Sequence, residues 1–337
     1  VGISGVDLRR NSKIYSGGGD ISIRGKALTG TNGWRAGITM WANSQINSGT
    51  GKIYMEGDAV GNTGTWNAGI ELNLENSCTN TALATSITSA FNDASFPAIT
   101  MIGRAGSSGS SNGITNYCGS STGRDMTIQS LGTGGITMTG STLNSSEYGI
   151  DLNSVNVLAR SGKIKLDGGL YGVGTGQNIG VSSGRVTFGS CVNDCGTQDF
   201  GYDAATVSSS DVEIIGDRIV FYGDNAKNRI NTTGNVKVLP SNQSTRKFTA
   251  SVDFFASYPT TLSTFTAGYD LDTATNSPWF VNRSSIVSSG DIKLYAHVLD
   301  MYGDMRTTSL GAKIFMKASD YIYFNQRTIT TNTVSYT

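Results

Sequence analysis

Short apolar alternations recur along the whole chain. Within residues 34–59, WRAGITMWANSQINSGTGKIYMEGDA, Ile38 and Met40 flank Thr39, and Ile53 and Met55 flank Tyr54. Each pair follows a glycine-containing turn, at Gly37 and at residues 49–51. Alternation of this kind turns one face of a short strand inward and the other outward. The same form returns as GDISIRG at Ile21 and Ile23, PAITMIG at Ile99 and Met101, GGITMTG at Ile136 and Met138, and GKIKLDG at Ile164 and Leu166. It continues as GRVTFG at Val186, SDVEIIG at Val212, GNVKVL at Val236, GDIKLYA at Ile292 and AKIFMKA at Ile314. A second form, Gly-Ile-x-apolar, falls between them at Ile38, Ile70 and Ile150.

Interleaved, the anchors at 21, 38, 53 and 70 step by 17, 15 and 17 residues, and those at 136, 150 and 164 by 14 and 14. Elsewhere the step reaches 22, as from 292 to 314. A spacing near twenty with one or two strands per step predicts a solenoid, in which no unit buries its inner face alone and a stack shares one core. The uneven step argues against leucine-rich or ankyrin arrays. It suits an all-β parallel β-helix with extra-helical loop insertions, whose corners absorb extra residues.

Two lapses divide the chain. Residues 1–239 read as coils with an excursion near 73–97, where TALATSITSAFNDA has room for one or two helical turns. Residues 107–122 are Ser- and Gly-rich and read as a flexible corner, and 191–205, CVNDCGTQDFGYDAA, as a loop with three acidic residues. Residues 240–289 hold three of the four prolines and eight of the thirty aromatics, and predict an aromatic-rich insertion packed on the solenoid or projecting from it. Coils resume over 290–337. The chain starts at Val1 and starts and stops inside the strand pattern, so it reads as a portion of something longer. Further coils, another subunit or a cap are expected over each end.

Composition narrows the function classes. Apolar residues make up 37%, below the ~45–50% usual for globular chains, and Gly supplies 44 of 337 residues, well above the usual ~7%. The patterned Ile, Val and Met separate the chain from disordered segments. Lys plus Arg and Asp plus Glu balance at 25 each with no basic tract, which argues against nucleic-acid binding by phosphate neutralisation. No run reaches the ~20 apolar residues of a membrane-spanning helix.

The even count of cysteines, Cys78, Cys118, Cys191 and Cys195, fits an oxidising compartment. Cys191 and Cys195 are close enough for a loop-closing disulfide, and Cys78 and Cys118 could staple an insertion to a neighbouring coil. A zinc site is the alternative. The 73 residues from Cys118 to Cys191 and the lack of paired histidines weigh against it.

The carboxylates form three groups in sequence: Asp194, Asp199 and Asp203; Asp211, Glu213 and Asp217; and Asp270 with Asp272. A polysaccharide lyase or hydrolase would need such groups converging on one face. As loop and outward strand positions they are polar because they face water. Asp270 and Asp272 are the one calcium candidate, without the glycine-and-glutamate frame of a defined calcium loop. The single histidine, His297, has Asp300 nearby, yet no G-x-S-x-G stands at a strand-to-helix turn to supply a nucleophile. No catalysis, cofactor or metal is therefore expected. The binding candidates are Trp279, Phe280, Tyr258 and Tyr269, because aromatic faces stack on sugars and loops on rigid scaffolds carry contacts. The competing reading makes these rings a small satellite core.

The segments GITMWANSQINSGTGKIYMEGDA and SVNVLARSGKIKLDGG resemble the repeat region of filamentous-haemagglutinin-like adhesins, the large bacterial exoproteins exported by two-partner secretion. SKIYSGGGDISIRG and LARSGKIKLDGG follow the same form. The likeness spans most of residues 1–190 and fades later. The Asn-Pro-Asn motifs of that family's secretion domain are absent, which implies an interior or downstream segment. The resemblance implies a right-handed parallel β-helix at the bacterial cell surface with adhesion or biofilm roles. It implies glycans or host and sister-cell surface components as partners, and an outer-membrane export partner. Two other readings stay open: a subunit polymerising head-to-tail into a surface filament or sheath, and a β-helical polysaccharide enzyme.

Overall fold

A computed structural model describes residues 4–31, 33–74, 85–107, 109–116, 126–144, 146–153, 155–169, 178–181, 186–190, 208–221, 229–241, 249–252, 261–270, 279–282, 285–331 and 333–336. The described residues are all-β, without a helix, and their sheets are long and parallel. The arrangement is not a closed barrel and is compatible with a parallel β-helix.

The strands pair in three ladders. The first joins Ile21, Ile53, Ile99, Ile136, Ile164, Val212, Val236, Phe265, Ile292, Ile314 and Val334 in register. The second joins Val6, Ile38, Ile70, Ile114, Ile150, Ile179, Ile219, Ala250, Phe280, Leu299 and Ile322. The third joins Ile14, Ile46, Ile87, Ile128, Val157, Phe188 and Ile230, and a separate set pairs Ile286, Met305 and Ile329.

The chain visits the ladders in rotation. Lys13–Tyr15 lies in the third, Ile21–Lys26 in the first and Arg35–Trp41 in the second. Gln45–Asn47, Ile53–Ala59 and Asn67–Leu74 then repeat the order. A repeat thus holds three strands. Ile21 pairs with Ile53 and Ile38 with Ile70, so the 17-residue step read from the anchors runs between ladders, not along one.

All three ladders feed one core. Ile53 and Met55 are buried while Tyr54 between them and Glu56 after them are only partly so, and the same cluster takes in Ile38, Ile46, Met101, Val157, Phe188, Val238 and Met316. Each such side chain contributes about 1.5–3 kcal/mol through burial.

Both lapses read from sequence join this stack where they are described. Ser86–Ser89, inside the stretch expected to hold helical turns, is a third-ladder strand between Gln45–Asn47 and Met126–Ser130. Within 240–289, Thr249–Val252, Thr264–Ala267 and Trp279–Asn282 pair in the first two ladders, and Ile286–Ser288 pairs with Met305–Thr307. Those strands are part of the stack and not an insertion. Phe265 and Phe280 occupy core positions that Ile holds elsewhere, with ring centroids 6.4 Å apart.

Glycine has a specific place here. Gly25, Gly57, Gly103 and Gly140 stand in register along the first ladder. Each faces a glycine in, or immediately before, the second-ladder strand that follows. A Cβ at Gly25 would sit 2.0 Å from the Gly37 carbonyl oxygen, at Gly57 1.9 Å from that of Gly69, and at Gly140 1.9 Å from that of Gly149. The reason for glycine along this seam is backbone approach. A left-handed φ is required instead at Gly17 and Gly18, at 66° and 136°.

Candidate functional site

In-register parallel strands set their outward residues in columns about 4.8 Å apart. One column on the second ladder runs Asp7, Thr39, Glu71, Thr115, Asp151. Trp41 Nε1 donates to Asp7 Oδ1 at 2.7 Å, and Thr39 Oγ1 donates to Glu71 Oε2 at 3.4 Å.

Immediately before two of these strands stand Trp34 and Trp66, with φ of 62° and 63°. Left-handed backbone is rare for a bulky residue and persists only where neighbours impose it. Here Trp34 N–H donates to Thr65 O at 3.0 Å and Trp66 N–H to Gly109 O at 3.1 Å. The two indoles stack with centroids 5.6 Å apart and planes 18° from parallel. They remain 43% and 46% exposed.

Trp66 borders a cleft of about 170 Å³ lined by Glu71, Thr115, Asp151, Asn67 and Asn112. Asn112 Oδ1 accepts from Tyr148 N–H at 2.9 Å. Asn116 also lines the cleft, is 2% exposed and donates through Nδ2 to Asn153 O. Its Oδ1 is buried with no hydrogen-bond donor from the described residues.

Burial pushes the Glu71 carboxyl up from an ordinary 4.5 to about 7; the Asp7 charge adds to this and the Thr39 hydrogen bond opposes it. Because the folded value lies above the unfolded one, the folded chain binds more protons between them. This group's stability contribution is full below about pH 4.5 and is lost as pH rises to about 7. Urea unfolding should show stability falling across that window by at most about 1.4 kcal/mol per pH unit. In Glu71→Gln that part of the slope should vanish, and a variant with an unchanged slope would remove Glu71 as its source.

The other candidate residues separate. Trp279 faces outward and is 44% exposed. Phe280 is fully buried, so the expectation that it stacks on a ligand is corrected: alternation along Trp279–Asn282 sends it into the core. Tyr269 is half-buried after a first-ladder strand, whereas Trp279 lies on the second. Tyr258 lies outside the described residues. So do Cys78, Cys118, Cys191, Cys195, Asp194, Asp199, Asp203 and Asp272.

Asp270 Oδ1 is held by Lys317 Nζ at 2.8 Å, and among the described residues no group of three potential ligands is placed to hold a metal ion. Asp211 Oδ1 accepts from Asn235 N–H at 2.8 Å, Glu213 pairs with Lys163 at 2.7 Å, and Asp217 Oδ1 accepts from Ser241 N–H at 3.1 Å. These carboxylates tie one repeat to another. His297 meets Ser319 Oγ through Nδ1 at 2.6 Å and Asp320 through Nε2 at 3.6 Å, whereas Asp300 accepts from Asn325. The histidine and aspartate side chains are 29% and 50% exposed, open to water on a ridge between ladders.

The Trp66 cleft was not among the residues singled out from sequence. Its signal is the repeat WRAGI at 34–38 and WNAGI at 66–70, which a 32-residue period stacks directly. No known protein family, curated protein or solved structure matches the chain.

Proposed function

We propose that the chain is a right-handed parallel β-helix that serves as a rigid structural and adhesive element on a bacterial surface, holding carbohydrate without catalysis. The observation that carries the reading is the single core shared by all three ladders. It makes a stiff support whose outward residues form fixed columns and leaves exposed indoles at one edge. Eleven in-register strands of the first ladder give a stack about 50 Å long at ~4.8 Å per strand. The resemblance of SQINSGTGKIYMEG and LARSGKIKLDGG to adhesin repeats supports the surface location.

The test coats beads with purified chain and passes them over immobilised bacterial and host polysaccharides. Saturable retention with no release of reducing ends or unsaturated sugars is expected. Turnover of any of these polysaccharides would install the enzyme reading, and failure of retention on all of them would remove the adhesive one.

A further inference from the structure

We infer that the cleft beside Trp66 is a carbohydrate subsite, taking one pyranose ring of a neutral or amino sugar against the Trp34–Trp66 indole pair. This deepens the attachment reading by naming its ligand class. The ring platform is the first argument. Trp66 presents an indole that is 46% exposed, backed by Trp34 and held by a backbone bond at its own N–H, so stacking on it requires little ordering. Apolar ring on one side and polar groups on the other is the arrangement that an amphipathic pyranose ring needs.

The polar groups are the second argument. Glu71, Asp151 and the carboxamides of Asn67, Asn112 and Asn116 line a volume of about 170 Å³, enough for one sugar ring. Carboxylates and carboxamides accept hydrogen bonds from vicinal hydroxyls.

Charge decides the class. Two carboxyl groups line the cleft, and no lysine or arginine stands among its described lining residues. Uronic acids, sialic acids and phosphorylated sugars would bring a like charge beside the Asp151 carboxylate, and beside Glu71 as pH passes about 7, whereas neutral hydroxyls and protonated amines would not.

The test titrates the full chain with cello-oligosaccharide, chito-oligosaccharide, its de-acetylated glucosamine counterpart and oligogalacturonate, followed by tryptophan fluorescence and calorimetry. The informative variant is Trp66→Gly, because glycine accepts the left-handed backbone that Trp66 adopts and so removes the ring without straining the turn. At least one neutral or amino sugar should bind, and Trp66→Gly should weaken it about tenfold, with circular dichroism unchanged. Oligogalacturonate binding more tightly than the uncharged sugars, or sugar binding indifferent to Trp66→Gly, would overturn the subsite. Bead retention that survives Trp66→Gly would keep the attachment reading and move its contacts elsewhere. Loss of retention by the unaltered chain would remove that reading while the titrations still judged the cleft.

Discussion

Gly57→Ala should destabilise the chain by about 3 kcal/mol or more, whereas Gly109→Ala should change stability by no more than about 0.5 kcal/mol. At Gly57 the added methyl would lie 1.9 Å from the Gly69 carbonyl oxygen, 2.6 Å from its carbon and 2.9 Å from Ile70 Cγ1. Two of these three atoms are backbone. Relief therefore demands that a first-ladder strand part from the second-ladder strand that follows it. Each of those strands is hydrogen-bonded on both sides, Ile53–Ala59 to Ile21–Lys26 and Pro97–Ala105, and Asn67–Leu74 to Arg35–Trp41 and Asn112–Asn116. Separation cannot be local. Gly109, exposed in a turn, has nothing within 4 Å of an added Cβ and no left-handed φ. Urea titrations of both variants decide the matter, and equal midpoints would show that the seam can give.

The second large effect contrasts two neighbours. Phe280→Ala should cost about 3–5 kcal/mol, because a fully buried ring leaves a cavity that the stacked strands cannot close. Its ring meets Phe265 and lies between strands fixed to Thr249–Val252 and Ile292–Met301, so neither side is free to collapse inward. Trp279→Ala, one residue earlier and on the outward face, should cost less than about 1 kcal/mol. Thermal unfolding of the pair is the measurement. Global unfolding of Trp279→Ala would mean that the indole packs more heavily than its exposure implies.

These two outcomes also mark what was legible beforehand. Ile21, Ile53, Ile136 and Ile164 share one sequence form, and they pair along one ladder. The length of the repeat was misread for a physical reason. First- and second-ladder strands share the Ile-x-apolar form, and alternation reports which side chains point inward, not which strand lies alongside. The third ladder is only partly visible in sequence: GRVTFG at Val186 shares the first-ladder form yet pairs in the third ladder, whereas Lys13–Tyr15 and Gln45–Asn47 each centre on a single isoleucine. Buried hydroxyls take part of the work there, with Ser48 and Ser89 both donating to Gly51 O at 2.5 and 2.7 Å. In the aromatic stretch, Phe265 with Ala267 and Phe280 with Asn282 keep the period of two but pair an aromatic with a small or polar residue, which breaks the aliphatic pattern without breaking the strand.

The cleft was illegible for a different reason. Trp34 and Trp66 become a platform only once the repeat is known to be 32 residues there, and Glu71 acquires its environment from Thr39 and Asp7, each on another strand. WRAGI and WNAGI report the tryptophan pair, but nothing local to Glu71 reports Thr39 or Asp7.

One property of the ladders has an engineering corollary. The interval between paired residues runs from 19, Phe280 to Leu299, to 48, Ile164 to Val212, with the strands in register at both extremes. Length at a turn is thus decoupled from height along the stack. A foreign epitope spliced at Leu310, which is 93% exposed beside an uncrowded Gly311, would be displayed at an altitude set by its rung, however many residues it adds.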